Sequence, residues 1–238
     1  MFFRRILFGY AFLFSARMYK KIKLKGKLFM KTKKLVTSSM LLGIAVVLSI
    51  IQPFSLPFGG GVTVASMAPV CIIAVLYGTK QGLLAGGVYG LIQMLIGAKT
   101  VAAFFLPGDS QMSLFAAIAV CFMDYILAYT VIGFAGVFKG KIKNTVVAVT
   151  LGTIFALLLR YIVHIISGAI FFGSWAEWFF TQEGFYTIGE KIMNTFSGLG
   201  LSVIYSVFYN GLYMIPEIII TAVVTPVIYK CLENSKMI

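Results

Sequence analysis

From residue 35 onward the chain is a succession of long apolar runs interrupted by short polar, basic or glycine-rich breaks. None of the runs alternates with the two-residue period of a half-buried strand, so their backbone hydrogen bonds must close within each segment, as in helices. The pattern predicts six helices at about 35–51, 62–77, 82–97, 112–138, 145–172 and 199–229. The second carries Pro69 near its start and is short for a spanning segment. Broken or short helices survive in lipid only where protein or a cavity satisfies the released backbone groups. In the third, Gly82, Gly86 and Gly90 recur every four residues and make one smooth face, read as a site of close helix packing. No internal repeat and no second domain interrupts the series.

The breaks between helices sort by charge. With the N-terminus cytoplasmic, one side collects Lys31, Lys33, Lys34, Lys80, Lys139, Lys141, Lys143, Lys230 and Lys236, and the other holds only Lys99 and Lys191. Nine against two is a strong positive-inside bias and predicts an even helix number with both ends inside. The expected fold is therefore all-α and integral to the membrane, with six transmembrane helices, N-in and C-in. The outer breaks, QPFSLPFGGGVTV, AKTVAAFFLPGDSQ and the stretch from Gly173 to Gly198, hold Pro, Gly, aromatics and most of the acids.

Composition agrees, since 60% of the 238 residues are hydrophobic and 11% charged, far more apolar surface than one soluble core of this size buries. The formal charge of +13 first suggests a nucleic-acid partner. However, residues 1–34 carry eleven Lys/Arg and no acid, which leaves the remainder at only +2, nine basic against seven acidic. The excess is a terminal cluster suited to anionic lipid headgroups, not a groove for nucleic acid. Residues 1–29 resemble a basic signal-like segment, while Met30 followed by KTKK begins a self-sufficient spanning unit. They are expected to be an extension outside the functional fold, with 30–238 forming the membrane domain. Cys71, Cys121 and Cys231 have no paired or metal-ligand spacing and are read as packing residues.

Chemistry concentrates at a few intramembrane polar positions. Asp124 lies in the fourth segment, Arg160 and His164 in the fifth, and Glu217 follows Pro216 in the sixth. Each is costly in lipid unless it meets a partner or a polar pocket. Asp124 with Tyr125 and His164 sit at similar depth, measured from the outer ends of their helices. The last helix adds Tyr205, Tyr209 and Tyr213 on one face with Asn210 beside them. An acid, an imidazole, an amide and aromatic rings at one level suit a flat, hydrogen-bonding, cationic molecule. The competing reading has Arg160 and His164 holding helices in register. Catalysis has no motif to rest on: HExxH, GxSxG, a Walker loop and paired metal-binding aspartates are all absent from the sequence, and the chain has a single histidine. No cofactor and no metal is expected, and any ATP must be hydrolysed by another subunit.

The segments SSMLLGIAVVLS, APVCIIAVLYGTKQGLLAGGVYG, MDYILAYTVIGFAGVF, LGTIFALLLRYIVHIISGAIFFGSW and YSVFYNG, in this order, resemble the thiamine-specific substrate-binding (S) component of energy-coupling factor transporters. The likeness covers about residues 35–230 and is carried most specifically by the RY–HxxxGxxFF and Tyr-x4-Asn-Gly stretches. It implies a vitamin pocket near the extracellular side, covered by the first outer loop. Asp124, one methylene shorter than the glutamate of some relatives, would bind the aminopyrimidine with Tyr125 beside it. His164 with Phe172 or Trp175 would flank the thiazolium, and Tyr205 and Asn210 would complete the polar contacts. FGGG stands where some relatives place a loop tryptophan. Ser39 and Gly43, four residues apart on the first helix, would face the coupling subunit.

The function implied is high-affinity thiamine capture outside a bacterial plasma membrane and release inside. The implied partners are thiamine, the lipid bilayer, a transmembrane coupling subunit and two ATPase subunits. Three rivals stand beside it: the same architecture with another vitamin or a thiamine precursor, a proton-coupled carrier titrating Glu217 or Asp124, and an intramembrane enzyme. The absence of an inverted repeat weighs against the carrier.

Overall fold

The computed structural model describes residues 31–56 and 59–235. The proposed N-terminal extension, residues 1–29, and Lys236 of the charge count lie outside them. The chain divides into two units that join between Met40 and Leu41, within the first helix, α1 (Lys31–Ile50). The described part of the first unit, residues 31–40, is the N-terminal half of that helix.

The second unit continues from α1 into an antiparallel hairpin, β1 (Phe54–Ser55) and β2 (Gly61–Val62), with Phe54 opposite Val62 and Ser55 opposite Gly61. There follow α2 (Ala68–Tyr77), α3 (Thr79–Ile96) and α4 (Ala98–Phe105). Next come α5 (Leu114–Gly136), α6 (Thr145–Phe171), α7 (Ala176–Phe180), α8 (Tyr186–Thr195) and α9 (Gly198–Asn234). Four of these helices, α1, α5, α6 and α9, are long and apolar enough to cross a bilayer, and α3 and α4 form an apolar pair bent by 74°, the geometry of a broken span or a re-entrant loop.

The second predicted helix starts later than its apolar run. The run begins at Val62, whereas the helix begins at Ala68 with Pro69 in its first turn, where a fixed φ and a missing N–H do no harm. Ten residues reach only about 15 Å, half the hydrocarbon thickness. Ahead of it run β2 and residues 63–67, irregular backbone in which the N–H groups of Thr63, Ala65 and Ser66 are met by Glu217, the Thr63 carbonyl and the Thr63 hydroxyl. α2 itself is buried from Ala68 to Val75, as expected of a helix apolar on every side. It is the centre of the core, with Met67, Val70, Cys71 and Ala74 packed among Ala45, Tyr89, Ile132, Ala156 and Leu157.

The glycine stripe of α3 lets two backbones touch. A Cβ on Gly86 would overlap the carbonyl oxygen of Tyr129, and one on Gly90 that of Tyr125, both on α5. At that level α5 leaves the α-helical path. Cys121–Leu127 is a π-helix and Val131–Gly136 a 3-10 helix. The most extensive helix pairing joins α6 and α9. Over the N-terminal end of α9, Phe179 and Phe180 of α7 are buried with Leu201, Tyr205 and Tyr209, so the stretch after α6 folds as short helices.

Candidate functional site

The helices and the hairpin surround a partly open cavity of about 430 Å³. Its walls come from Ser49 of α1 and Gln52 after it, Gly59, Gly60, Gly61 and Thr63 of the first loop, Gln93 of α3, Phe104 of α4, Asp124 and Tyr125 of α5, Arg160 and His164 of α6, and Tyr205, Tyr209, Asn210, Tyr213 and Glu217 of α9.

Its polar centre is a cluster of side chains that joins α5 to α6. Nδ1 of His164 lies 2.9 Å from Oδ1 of Asp124, and Oγ of Ser167 donates to Oδ2 of the same carboxylate at 2.9 Å. Pairing with a carboxylate sets the proton on Nδ1, which leaves Nε2 for another partner. That Nε2 is buried without a hydrogen bond, in a residue only 7% exposed. Each Asp124 oxygen keeps a second lone pair, so the carboxylate can still accept from a ligand. The π-helical turn carries Asp124 on a wider arc than an α-helix gives, a deformation common where a helix serves a site.

α9 supplies the opposite wall. Asn210 donates through Nδ2 to the His164 carbonyl at 3.3 Å and to the Ser206 carbonyl at 2.9 Å, and its Oδ1 accepts from the Tyr213 hydroxyl at 2.7 Å. The Ser206 hydroxyl donates to the Ile165 carbonyl at 2.8 Å. These bonds tie α9 to the α6 turn that carries His164 and pin both. Tyr213 meets the His164 ring edge to face at 5.9 Å, and Tyr205 and Tyr209 lie 5.6 Å apart. One turn deeper on α6, the Arg160 guanidinium stacks 4.2 Å from the centre of the Tyr129 ring and points Nη1 at the Met67 sulfur.

The first loop forms the cover. Gly60, at φ +85°, lies so close to the Tyr213 ring that a Cβ there would overlap it. The Tyr209 hydroxyl donates to the Gly59 carbonyl at 3.1 Å. Glu217 Oε1 accepts from the Thr63 hydroxyl at 2.6 Å and from its backbone N–H at 2.5 Å. Unmet backbone in the irregular stretch thus finds its acceptor on α9.

Of the residues singled out from the sequence, Asp124, Tyr125, His164, Phe172, Tyr205 and Asn210 line this cavity. Trp175 does not. It lines a neighbouring depression with Lys99, Asp109 and Phe172, and its ring stands edge-on to Trp178 at 6.0 Å. Ser39 and Gly43 are exposed on α1, and nothing lies within 4 Å of a Cβ on Gly43. Sequence reasoning passed over Gln93, Gln52, Tyr129 and Thr63, which also line the cavity. Ser167, three residues after His164, carried a faint signal in its helical spacing. The Thr63–Glu217 contact, across 154 residues, carried none. Among the described residues no cluster of His, Cys, Asp or Glu could hold a metal ion.

An all-helical bundle with several apolar spans around a ligand-sized polar and aromatic cavity defines a multi-pass membrane protein built to hold a small molecule. Residues 35–179 match the family described as thiamine transporter protein, and the chain belongs to that family, one of transporters and not of enzymes. It is 32% identical over 203 residues to the thiamine transporter ThiT of Bacillus subtilis, covering 80% of this chain and 87% of the relative. Its fold is similar to that of ThiT from Listeria monocytogenes, with a TM-score of 0.60 at 20% identity over 86% of this chain and 97% of the other.

Proposed function

We propose that this protein is the thiamine-capturing component of an ATP-driven energy-coupling factor importer. It binds the vitamin with high affinity near the extracellular face and releases it inward when it meets a transmembrane coupling subunit and its two ATPase subunits. One observation carries the reading: in a member of the thiamine transporter family, Asp124, His164, Asn210 and a set of tyrosine rings converge on one cavity. The carboxylate is suited to the aminopyrimidine, and His164 with the nearby rings to the cationic thiazolium. Phe172, Tyr125 and Tyr205 complete the proposed wall.

The proposed topology has six crossings with both termini inside. It counts α1, α2 with its irregular lead-in, α3 with α4, α5, α6 and α9, and it rests on the nine-to-two lysine asymmetry. Ser39 and Gly43 are the proposed contact with the coupling subunit, since small residues allow a partner helix to approach closely. Binding alone cannot accumulate a substrate, so the partner must favour a state of low affinity on the inner side.

The test is calorimetry on the purified protein in detergent, without ATP or metal. Thiamine should bind at one site with sub-micromolar affinity, on the order of −8 kcal/mol or tighter. Millimolar or absent binding would reject the proposal.

A further inference from the structure

Gln93 of α3 is 8% exposed and lines the cavity, and the site described so far gives it no task. Its amide is held from one side only. Nε2 donates to the Ser49 hydroxyl at 2.8 Å, and that hydroxyl commits its own proton to the Val46 carbonyl, also at 2.8 Å. A serine oxygen whose proton is committed can only accept, so the amide nitrogen of Gln93 must face Ser49 and the amide oxygen must face away from it. Oε1 has no hydrogen-bond partner among the described residues, and it keeps accessible surface on a side chain of the cavity wall. An acceptor fixed in direction and left open to a ligand-sized cavity calls for a donor.

The face of α3 that carries Gln93 says on which side of the cavity this acceptor stands. Gly90, Gln93 and the C-cap Gly97 follow one another at spacings of three and four residues and so share one side of the helix. A Cβ on Gly90 would overlap the Tyr125 carbonyl oxygen, and one on Gly97 would stand 3.1 Å from the Tyr125 hydroxyl. Tyr125 therefore runs along this face past Gln93, and its neighbour in the chain is Asp124, which lines the same cavity. Gln93 adds a neutral acceptor on the α5 side, where the carboxylate stands.

Resting on the thiamine reading, we infer that Gln93 is a specificity-determining residue that accepts a hydrogen bond from the amino group of the aminopyrimidine, with Ser49 as the positioning residue that aims its amide. Thiamine carries donors in two places, the amino group on the pyrimidine and the alcohol on the thiazolium. The amino group has two N–H bonds, so a contact with Asp124 leaves one of them to be met, and Gln93 on the same side of the cavity accepts it. Discrimination follows from the polarity of the partner. A carbonyl in place of the amino group sets acceptor against acceptor, and a site built to receive an N–H rejects a ligand that lacks it because its own polar atom is left unmet.

Thiamine and oxythiamine, in which a carbonyl replaces that amino group, are titrated by calorimetry into the unaltered protein, Gln93→Met and Ser49→Ala. The unaltered protein should prefer thiamine. Gln93→Met keeps the length of the side chain and removes the acceptor, and it should narrow the preference about tenfold, through weaker binding of thiamine and tighter binding of the analogue. Ser49→Ala frees the amide to turn its nitrogen toward the cavity and should also narrow the preference, chiefly by a gain for oxythiamine. A side chain that only packs, or one that meets the alcohol common to both ligands, would change the two affinities in parallel. While the unaltered protein binds thiamine, an unchanged ratio in either variant, or no preference in the unaltered protein, overturns the inference and spares the proposed function. If one variant does not fold, the other decides by the same ratio. Failure of the unaltered protein to bind thiamine at all rejects the proposed function, and the inference with it.

Discussion

At the scale of single residues, the candidate site is a set of side chains that satisfy one another incompletely. Asp124 accepts from His164 and Ser167 and keeps acceptor capacity, whereas His164 keeps Nε2. Truncating Asp124 removes the charge and strands the imidazole. A hydrogen bond to a charged group contributes about 1.5–3 kcal/mol, so Asp124→Ala should weaken thiamine binding by about ten- to hundredfold in a calorimetric titration. His164→Ala should cost a comparable amount and leave the thermal unfolding temperature less affected than Asn210→Leu. Asn210 spends its amide on the His164 and Ser206 carbonyls, and leucine there would leave both the α6 and α9 turns short of a donor. The residue types were legible in the sequence because ionisable groups in apolar helices announce themselves. Their partners were legible only where depth could be estimated along two helices, as for Asp124 and His164.

At the scale of elements, the backbone of α3 and α5 decides where Asp124 can be. Gly90 brings α3 against the carbonyl of Tyr125 in the π-helical stretch of α5, and Gly86 against that of Tyr129 in the turn that follows. Gly86→Ala places a methyl where a carbonyl already stands and should destabilise the protein by about 1–3 kcal/mol. A lowered unfolding temperature in detergent checks it, with a larger drop for Gly86→Val. The glycine periodicity was readable as a packing face before any coordinates. The π-helical turn it packs against was not, because a one-residue widening leaves no mark in hydropathy. The same limit explains the second segment: an apolar stretch looks alike whether it winds as α2 or turns irregularly ahead of it. The acceptor offered by Glu217 meets the backbone N–H of Thr63 in that irregular course. Likewise the stretch after α6 contains Phe179 and Phe180 among acids and glycines, and folds as helices because Leu201, Tyr205 and Tyr209 offer an apolar seat.

At the scale of the whole molecule, the proposed function puts capture and coupling on different surfaces. The cavity is lined by the second unit, while Gly43 on α1 is exposed with nothing within 4 Å of where its Cβ would be. Gly43→Trp should therefore leave thiamine binding by the isolated protein unchanged. The same variant should abolish ATP-dependent uptake in vesicles that contain the coupling and ATPase subunits, because a bulky side chain keeps the partner helix at a distance. Loss of binding in that variant, or full uptake, would contradict the assignment. The sequence by itself determined that this is a helical membrane protein, where its apolar segments lie, and which few polar residues need an explanation. Hydropathy and the burial cost of charge are local quantities, read from each segment alone. Tertiary structure decided that α2 starts six residues late, that Thr63 lies on Glu217, and that Phe172 faces the cavity while Trp175 lines the depression beside it. Those outcomes depend on which acceptors, rings and close backbones meet across long separations in the chain, and a hydrogen bond between residues 154 positions apart exists only once the helices have packed.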